Sequence, residues 1–236
     1  MKKRFAAFVS TVLAAVLCAC SAAPKDVLPN KAAQPTEAPT QQAQTTQAAP
    51  TEQPTPEPDL VQQLLEEMTL EQKVGQLFLV RPDSLDLSQT QDQINDAKAD
   101  GVTELTDAMR QTLAEYPVGG VVIFGKNLES PQQITQFLDD LQQASDMPLF
   151  TAIDEEGGLV ARLANNAAFD LPQYESAAAV GTSGNPEDAR AMGRTIGGYL
   201  KEYGFNLDFA PVADVNTNPD NPVIGTRAFS SEPQTA

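Results

Sequence analysis

The chemistry open to this chain of 236 residues is concentrated in carboxylates, guanidinium groups and a pair of glycines. Asp154, Glu155, Glu156, Gly157 and Gly158 follow the apolar run Leu149 to Ile153, and Arg162 comes eight positions after Asp154. In a parallel α/β fold, ligands sit at the C-terminal ends of the strands, so the first polar residue after a buried strand is the informative one. Asp154 holds that place. Its carboxylate can accept two hydroxyl hydrogen bonds from a neutral polyol, and the paired glycines let backbone approach a ligand closely. Arg162 and Arg227 add planar forks of donors suited to oxygen-rich ligands. Asp214, just beyond Phe209 to Val212, also stands at a strand end, with an equal claim to a purely loop-holding job. Read from these residues alone, Asp154 to Glu156 could equally form a solvated acidic turn or a loose cation site, and each arginine a surface ion pair.

Other chemistries are excluded by composition. Histidine is absent, which removes imidazole acid–base catalysis, the Ser-His-Asp relay and His-based metal sites. The two cysteines, Cys18 and Cys20, are too close in sequence and too near the N-terminus to build a disulfide framework or a zinc site. A formal charge of −17 repels a phosphate backbone, so no nucleic-acid partner is expected. The Gly119-Gly120 pair lacks the Gly, Lys and Ser/Thr spacing of a phosphate loop. Neither a metal nor a cofactor is called for.

The elements that must position these residues begin at Asp59. Asp59 and the Thr69/Gln72 pair read as helix N-caps, the first ahead of Leu60, Val61, Leu64, Leu65 and Met68 at helical spacing. Gln76 to Val80 is the first candidate strand. Residues 83–117 carry a loose helical period and no assignable role. Gly119 to Gly125 forms the next strand, and Ser130-Pro131 opens a helix reaching Ser145. Leu149 to Ile153 is the third strand, Asn185-Pro186 opens a long helix ending at Gly204, and Phe205 to Val212 is the fourth. Strands without polar alternation, separated by helices, imply a parallel sheet covered on both faces. That fits an open doubly wound sheet or about half of a (β/α)8 barrel, which usually needs about 250 residues.

The N-terminal part reads as an address. Lys2, Lys3 and Arg4 precede an apolar run from Phe5 to Leu17 that is too short to span a bilayer and suited to an export signal. The run ends at Ala19-Cys20, which resembles a bacterial lipoprotein cleavage box, so residues 1–20 are expected to be a signal ending at a lipidated Cys20. Residues 21–58 hold eight Pro, eight Ala, six Gln and six Thr with no aromatic residue, a composition that cannot offset its own ordering entropy. They are expected to be a tether, and residues 59–236 the folding domain.

Five ordered segments resemble one family, the glycoside hydrolase family 3 enzymes of the bacterial β-N-acetylhexosaminidase type. They are Met68-Thr-Leu-Glu-Gln-Lys-Val-Gly-Gln-Leu-Phe78, Gly119-Gly-Val-Val-Ile-Phe-Gly-Lys-Asn127, Ile153-Asp-Glu-Glu-Gly-Gly-Leu-Val-Ala-Arg-Leu163, Gly204-Phe-Asn-Leu-Asp-Phe-Ala-Pro-Val-Ala-Asp-Val-Asn216, and Asn218 to Phe229. The resemblance implies a (β/α)8 TIM barrel of which about the first half is present. It also implies removal of terminal β-linked N-acetylglucosamine with retention, with Asp154, Arg162 and Arg227 contacting the sugar. The family's Arg directly after Gly-Gly is Leu159 here. The family's Lys-His-Phe-Pro-Gly-His-Gly proton shuttle and its later nucleophilic Asp have no counterpart in these residues. Retaining hydrolysis needs both groups, so this polypeptide by itself is expected not to turn over, and open sheet edges should leave it unstable alone. The expected partners are peptidoglycan or chitin-type saccharides and, through Cys20, the outer face of the cell membrane. A non-catalytic sugar-binding lipoprotein and a β-glucosidase of the same family are the alternatives.

Overall fold

The computed structural model describes residues 59–236, so the expected signal, Cys20 and the tether lie outside the described residues. Four helices start where capping chemistry placed them. The Asp59 carboxylate accepts the Val61 and Gln62 amides at the start of α1 (Leu60–Glu67). Thr69 and Gln72 form a reciprocal capping box on α2 (Leu70–Gly75). Ser130 with Pro131 opens α5 (Pro131–Ala144), and Asn185 with Pro186 opens α7 (Pro186–Glu202). Each cap satisfies amides that the first helical turn leaves without partners. The apolar stripe of α1 is uncovered among the described residues, with Leu60, Val61, Leu64 and Leu65 all exposed.

Four parallel strands make the main sheet, in the spatial order β1 (Leu79–Val80), β2 (Gly120–Ile123), β3 (Phe150–Ile153) and β6 (Leu207–Asp208). Each strand lies beside the next one in the chain, and the order never reverses. That stepwise winding is the barrel pattern; a doubly wound sheet reverses at a switch point. The chain therefore has a TIM-barrel-like (β/α) fold with four strands of the barrel among the described residues. Val121, Ile123 and Ile153 are solvent-free on the sheet, and α5 covers it with Ile134, Phe137, Leu138 and Leu141. Each such side chain contributes about 1.5–3 kcal/mol of burial. After the short α6 (Ala177–Gly181), helix α7 adds Met192, Ile196 and Leu200 to the same cluster.

Three expectations need correction. The first strand is shorter than Gln76 to Val80, because the Leu77 and Phe78 amides bond back to Val74 and Gly75 and prolong the turn after α2. The fourth strand is shorter than Phe205 to Val212. The Phe205 amide closes the end of α7 on Leu200 O, and Pro211 has no N–H to give the ladder. Residues 83–117 are not one helical excursion: a 3-10 turn at Pro82–Leu85, α3 (Gln91–Asn95) and α4 (Asp107–Glu115) are separate pieces. A short antiparallel hairpin, β4 (Glu155–Gly157) with β5 (Val160–Ala161), was not foreseen, since its Glu-Glu-Gly-Gly sequence reads as a turn.

Candidate functional site

Asp154 leaves the C-terminal end of β3, and the β4–β5 hairpin starts at the next residue. Because the hairpin returns Ala161 opposite Glu155, Arg162 emerges beside Asp154 at the base of the turn. This explains the eight-residue spacing. Arg162 Nη2 donates to Asp154 Oδ2 at 3.0 Å. Their side chains keep 33% and 26% exposure, enough for a ligand to reach both. Gly157 and Gly158 take positive φ, 84° and 69°, at the turn. The left-handed conformation disfavours larger residues at both, and at Gly158 a β-carbon would also collide with the Glu175–Ser176 backbone.

The hairpin is held from beneath by Glu155, which is fully buried. Its Oε2 accepts the Leu163 amide at 2.9 Å, and its Oε1 accepts the Ala164 amide at 2.9 Å and the Tyr199 hydroxyl at 2.8 Å. Those three donors meet a desolvated anion, which is why the charge is tolerated. Burial, followed by the Glu155 charge, raises the Tyr199 hydroxyl well above its usual range and keeps it a donor.

Glu156, 7% exposed, receives Arg227 through two bonds, from Nε at 2.8 Å and from Nη2 at 2.6 Å. This bidentate fork fixes the loop after β6 against the hairpin. The Glu156 hydrogen bond holds the Arg227 guanidinium above its ordinary value, and the charges of Asp154 and Asp214 push in the same direction. Asp208, in β6, accepts the Glu155 amide at 3.0 Å. Burial pushes its carboxyl up to about 6, opposed by that amide bond and reinforced by the charges of Glu155, Asp154 and Glu156.

The solvated acidic turn is thus overturned: Glu155 and Glu156 are structural anchors and only Asp154 stays accessible. Among the described residues, no group of three acidic, His or Cys side chains is arranged to hold a metal ion. Asp154 and Arg162 meet directly. Arg227 meets Glu156, two residues from Asp154, and Asp214 is exposed nearby with no hydrogen bond among the described residues. The anchoring roles of Glu155, Tyr199 and Asp208 were missed. The one available signal was a carboxylate, Asp208, inside the apolar run Leu207 to Val212. A cavity of about 610 Å³ is bordered by Glu155, Glu156 and Asp208 and by the α7 face from Ala189 to Gly197. Neither Asp154 nor Arg162 lines it; the carboxylate–guanidinium pair defines the candidate site instead.

Stepwise-wound parallel strands define the chain as a (β/α)-barrel protein, with a polar cluster at the strand ends where such folds bind their ligands. The glycosyl hydrolase family 3 N-terminal domain matches residues 69–236, and the chain belongs to that family. It is 36% identical over 137 residues to beta-hexosaminidase A of Pseudoalteromonas piscicida, covering 56% of this chain and 23% of that protein. It is 34% identical over 136 residues to a beta-hexosaminidase of Thiobacillus denitrificans, covering 56% and 37%. Among solved structures, a family 3 beta-N-acetylglucosaminidase from Paenibacillus sp. FPU-7 superposes with a TM-score of 0.59 at 33% identity, covering 71% of this chain and 28% of that one. LpqI of Mycobacterium tuberculosis superposes with a TM-score of 0.52 at 27% identity, covering 73% and 43%. The matched segment therefore spans 23% of the first of these relatives and 37% of the second.

Proposed function

We propose that this chain is the N-terminal, sugar-holding part of an exported β-N-acetylhexosaminidase-type glycosidase. The reaction is release of terminal β-linked N-acetylglucosamine with retention of configuration, from peptidoglycan or chitin-type saccharides. Asp154, Arg162 and Arg227 contact the sugar, and Cys20 carries the lipid that keeps the enzyme on the outer face of the membrane. The observation that carries this reading is the accessible Asp154–Arg162 pair at the end of β3, with Arg227 beside it on Glu156. The named activities of the relatives support the choice of an amino sugar.

The same geometry argues that the 236 residues alone do not hydrolyse the bond. Retention needs a nucleophile on one side of the anomeric carbon and an acid/base on the other. Glu155 is sealed under the hairpin and Glu156 is committed to Arg227, which leaves Asp154 as the accessible carboxylate of the acidic run. Asp154, engaged with a sugar hydroxyl, supplies binding without the covalent step.

The test is paired turnover of aryl β-N-acetylglucosaminide and aryl β-glucoside by the protein expressed from its complete reading frame, beside the 236-residue polypeptide. Preferential cleavage of the amino sugar by the former and no turnover by the latter is expected. Equal or better cleavage of the glucoside overturns the substrate assignment, and turnover by the 236 residues overturns their inactivity. Cys20→Ala should release the protein from the membrane fraction; unchanged retention there contradicts lipidation at that residue.

A further inference from the structure

Arg162 is incompletely held by the contacts described so far. Its Nη2 bonds Asp154, but its Nε lies out of solvent with no hydrogen-bond acceptor among the described residues. An N–H taken from water without a partner is costly, and a single Nη2 contact leaves the guanidinium plane free to swivel. What faces this group is the ring of Phe124, with its centroid 5.7 Å from Arg162 Cζ. A second guanidinium, that of Arg81, lies 4.2 Å from the same centroid. Phe124 therefore contacts two cations, one from the end of β1 and one from the hairpin, both within the range where an aromatic face attracts a guanidinium.

The ring is itself fixed by the segment between β1 and β2, for which the sequence offered no role. The Phe124 amide donates to Asn127 Oδ1 at 3.1 Å. Asn127 Nδ2 donates to Asp83 Oδ2 at 3.0 Å and to Val102 O at 2.9 Å. Asp83, with no exposure, also takes the Lys126 ammonium at 3.2 Å and the Val102 amide at 3.1 Å. Arg81 Nη1 and Lys126 Nζ both donate to Ile94 O, at 2.6 and 3.1 Å. Residues 83–102 are thereby latched onto the end of β2, and both the backbone and the ring of Phe124 are held.

We propose that Phe124 is a positioning residue, clamped by Arg81 and by the Asp83–Asn127 network, that sets the Arg162 guanidinium against Asp154. This gives the β1–β2 segment a function as the buttress of the sugar site. The proposal rests on the sugar-holding role assigned above, and its test separates the two.

The protein expressed from its complete reading frame is compared with Phe124→Leu, Phe124→Tyr and Arg81→Gln. One readout is N-acetylglucosamine affinity by calorimetry. The other is the Arg162 Nε–H resonance by NMR, assigned by its loss in Arg162→Lys. Phe124→Leu should weaken sugar binding about three- to tenfold, in line with loss of one partly desolvated cation–aromatic contact, and should abolish the ring-current shift and solvent protection of Nε–H. Phe124→Tyr, which keeps the ring, should restore both, and Arg81→Gln should give a smaller loss. Unchanged affinity together with an unchanged Nε–H signal in Phe124→Leu overturns the proposal. Absence of sugar binding by the unaltered protein overturns the sugar-holding role instead, and the Nε–H signal then decides the positioning claim by itself. A Phe124→Leu protein that does not fold leaves Arg81→Gln to decide, an unshifted Nε–H signal there refuting the clamp.

Discussion

Replacing Glu155 by Gln changes the shape of one buried side chain very little and its hydrogen bonding a great deal. The carboxylate accepts three bonds in two directions: Leu163 N–H on Oε2, and Ala164 N–H with the Tyr199 hydroxyl on Oε1. A glutamine has one acceptor oxygen. With that oxygen on the Ala164 and Tyr199 side, its NH2 confronts the Leu163 N–H, and a backbone donor is left buried and unpaired at about 1–3 kcal/mol. The two surviving bonds also fall from charge-assisted to neutral strength, roughly 1 kcal/mol each. Against this, removing one negative charge relieves Asp154, Glu156 and Asp208, which returns about 1 kcal/mol. The net loss is about 2–4 kcal/mol. With a urea slope of about 1–3 kcal/mol per molar, the unfolding midpoint should fall by about 0.7–4 M. Tyr199→Phe removes one charge-assisted bond and should cost less, about 1.5–2 kcal/mol. The double variant should cost less than the sum, because both act on one oxygen. An unfolding midpoint for Glu155→Gln within error of the unaltered protein would refute the account of the hairpin as anchored by a buried anion.

Further outcomes are expected elsewhere in the same network. Asp208, held up to about 6, binds its proton more tightly when folded than the ordinary carboxyl of about 3.9 does unfolded. Its contribution is therefore complete below pH ~4 and lost as pH rises through ~6, no more than about 2 kcal/mol after allowance for solvent screening. Asp208→Asn should remove that part of the fall in urea midpoint between pH 4.5 and 7; an identical slope in both proteins contradicts the burial argument. Asp83→Asn leaves the Lys126 ammonium, 5% exposed, without its counter-charge and should cost about 3–5 kcal/mol in urea unfolding; a loss below about 1 kcal/mol would show that the Gln93 and Ile94 carbonyls, each accepting from Nζ at 3.1 Å, suffice. Arg227→Lys exchanges a two-point contact on Glu156 for a single one, so about 1–2 kcal/mol and part of the sugar affinity should go together.

Helix starts were legible because a cap is a local event: Asp59, Thr69, Ser130 and Asn185 each bond amides within three residues. Strand positions were legible from continuous apolar runs, but strand lengths were not. Where β1 and β6 start depends on how the preceding turns use the Phe78 and Phe205 amides. Asp154 could be singled out in sequence because it directly follows an apolar strand, whereas the seven-residue hairpin that brings Arg162 beside it was not legible. The burial of Glu155 could not, since two of its donors come from beyond the hairpin and the third, Tyr199, from a helix 44 positions away. Residues 83–117 looked like a helix because Ile94, Leu105, Met109 and Leu113 are all buried. Their actual organisation turns on Asp83, whose partners at Val102, Lys126 and Asn127 are set by tertiary structure.

The central claim is that the carboxylate at the end of β3, steadied by Arg162, holds an amino sugar. Calorimetric titration of N-acetylglucosamine and of glucose into the protein expressed from its complete reading frame, and into its Asp154→Asn variant, tests it most directly. The account predicts preferential binding of N-acetylglucosamine and a loss of about tenfold or more in Asp154→Asn, the scale of one charge-assisted pair of hydrogen bonds. Equal affinity for the sugar in the two proteins would contradict it.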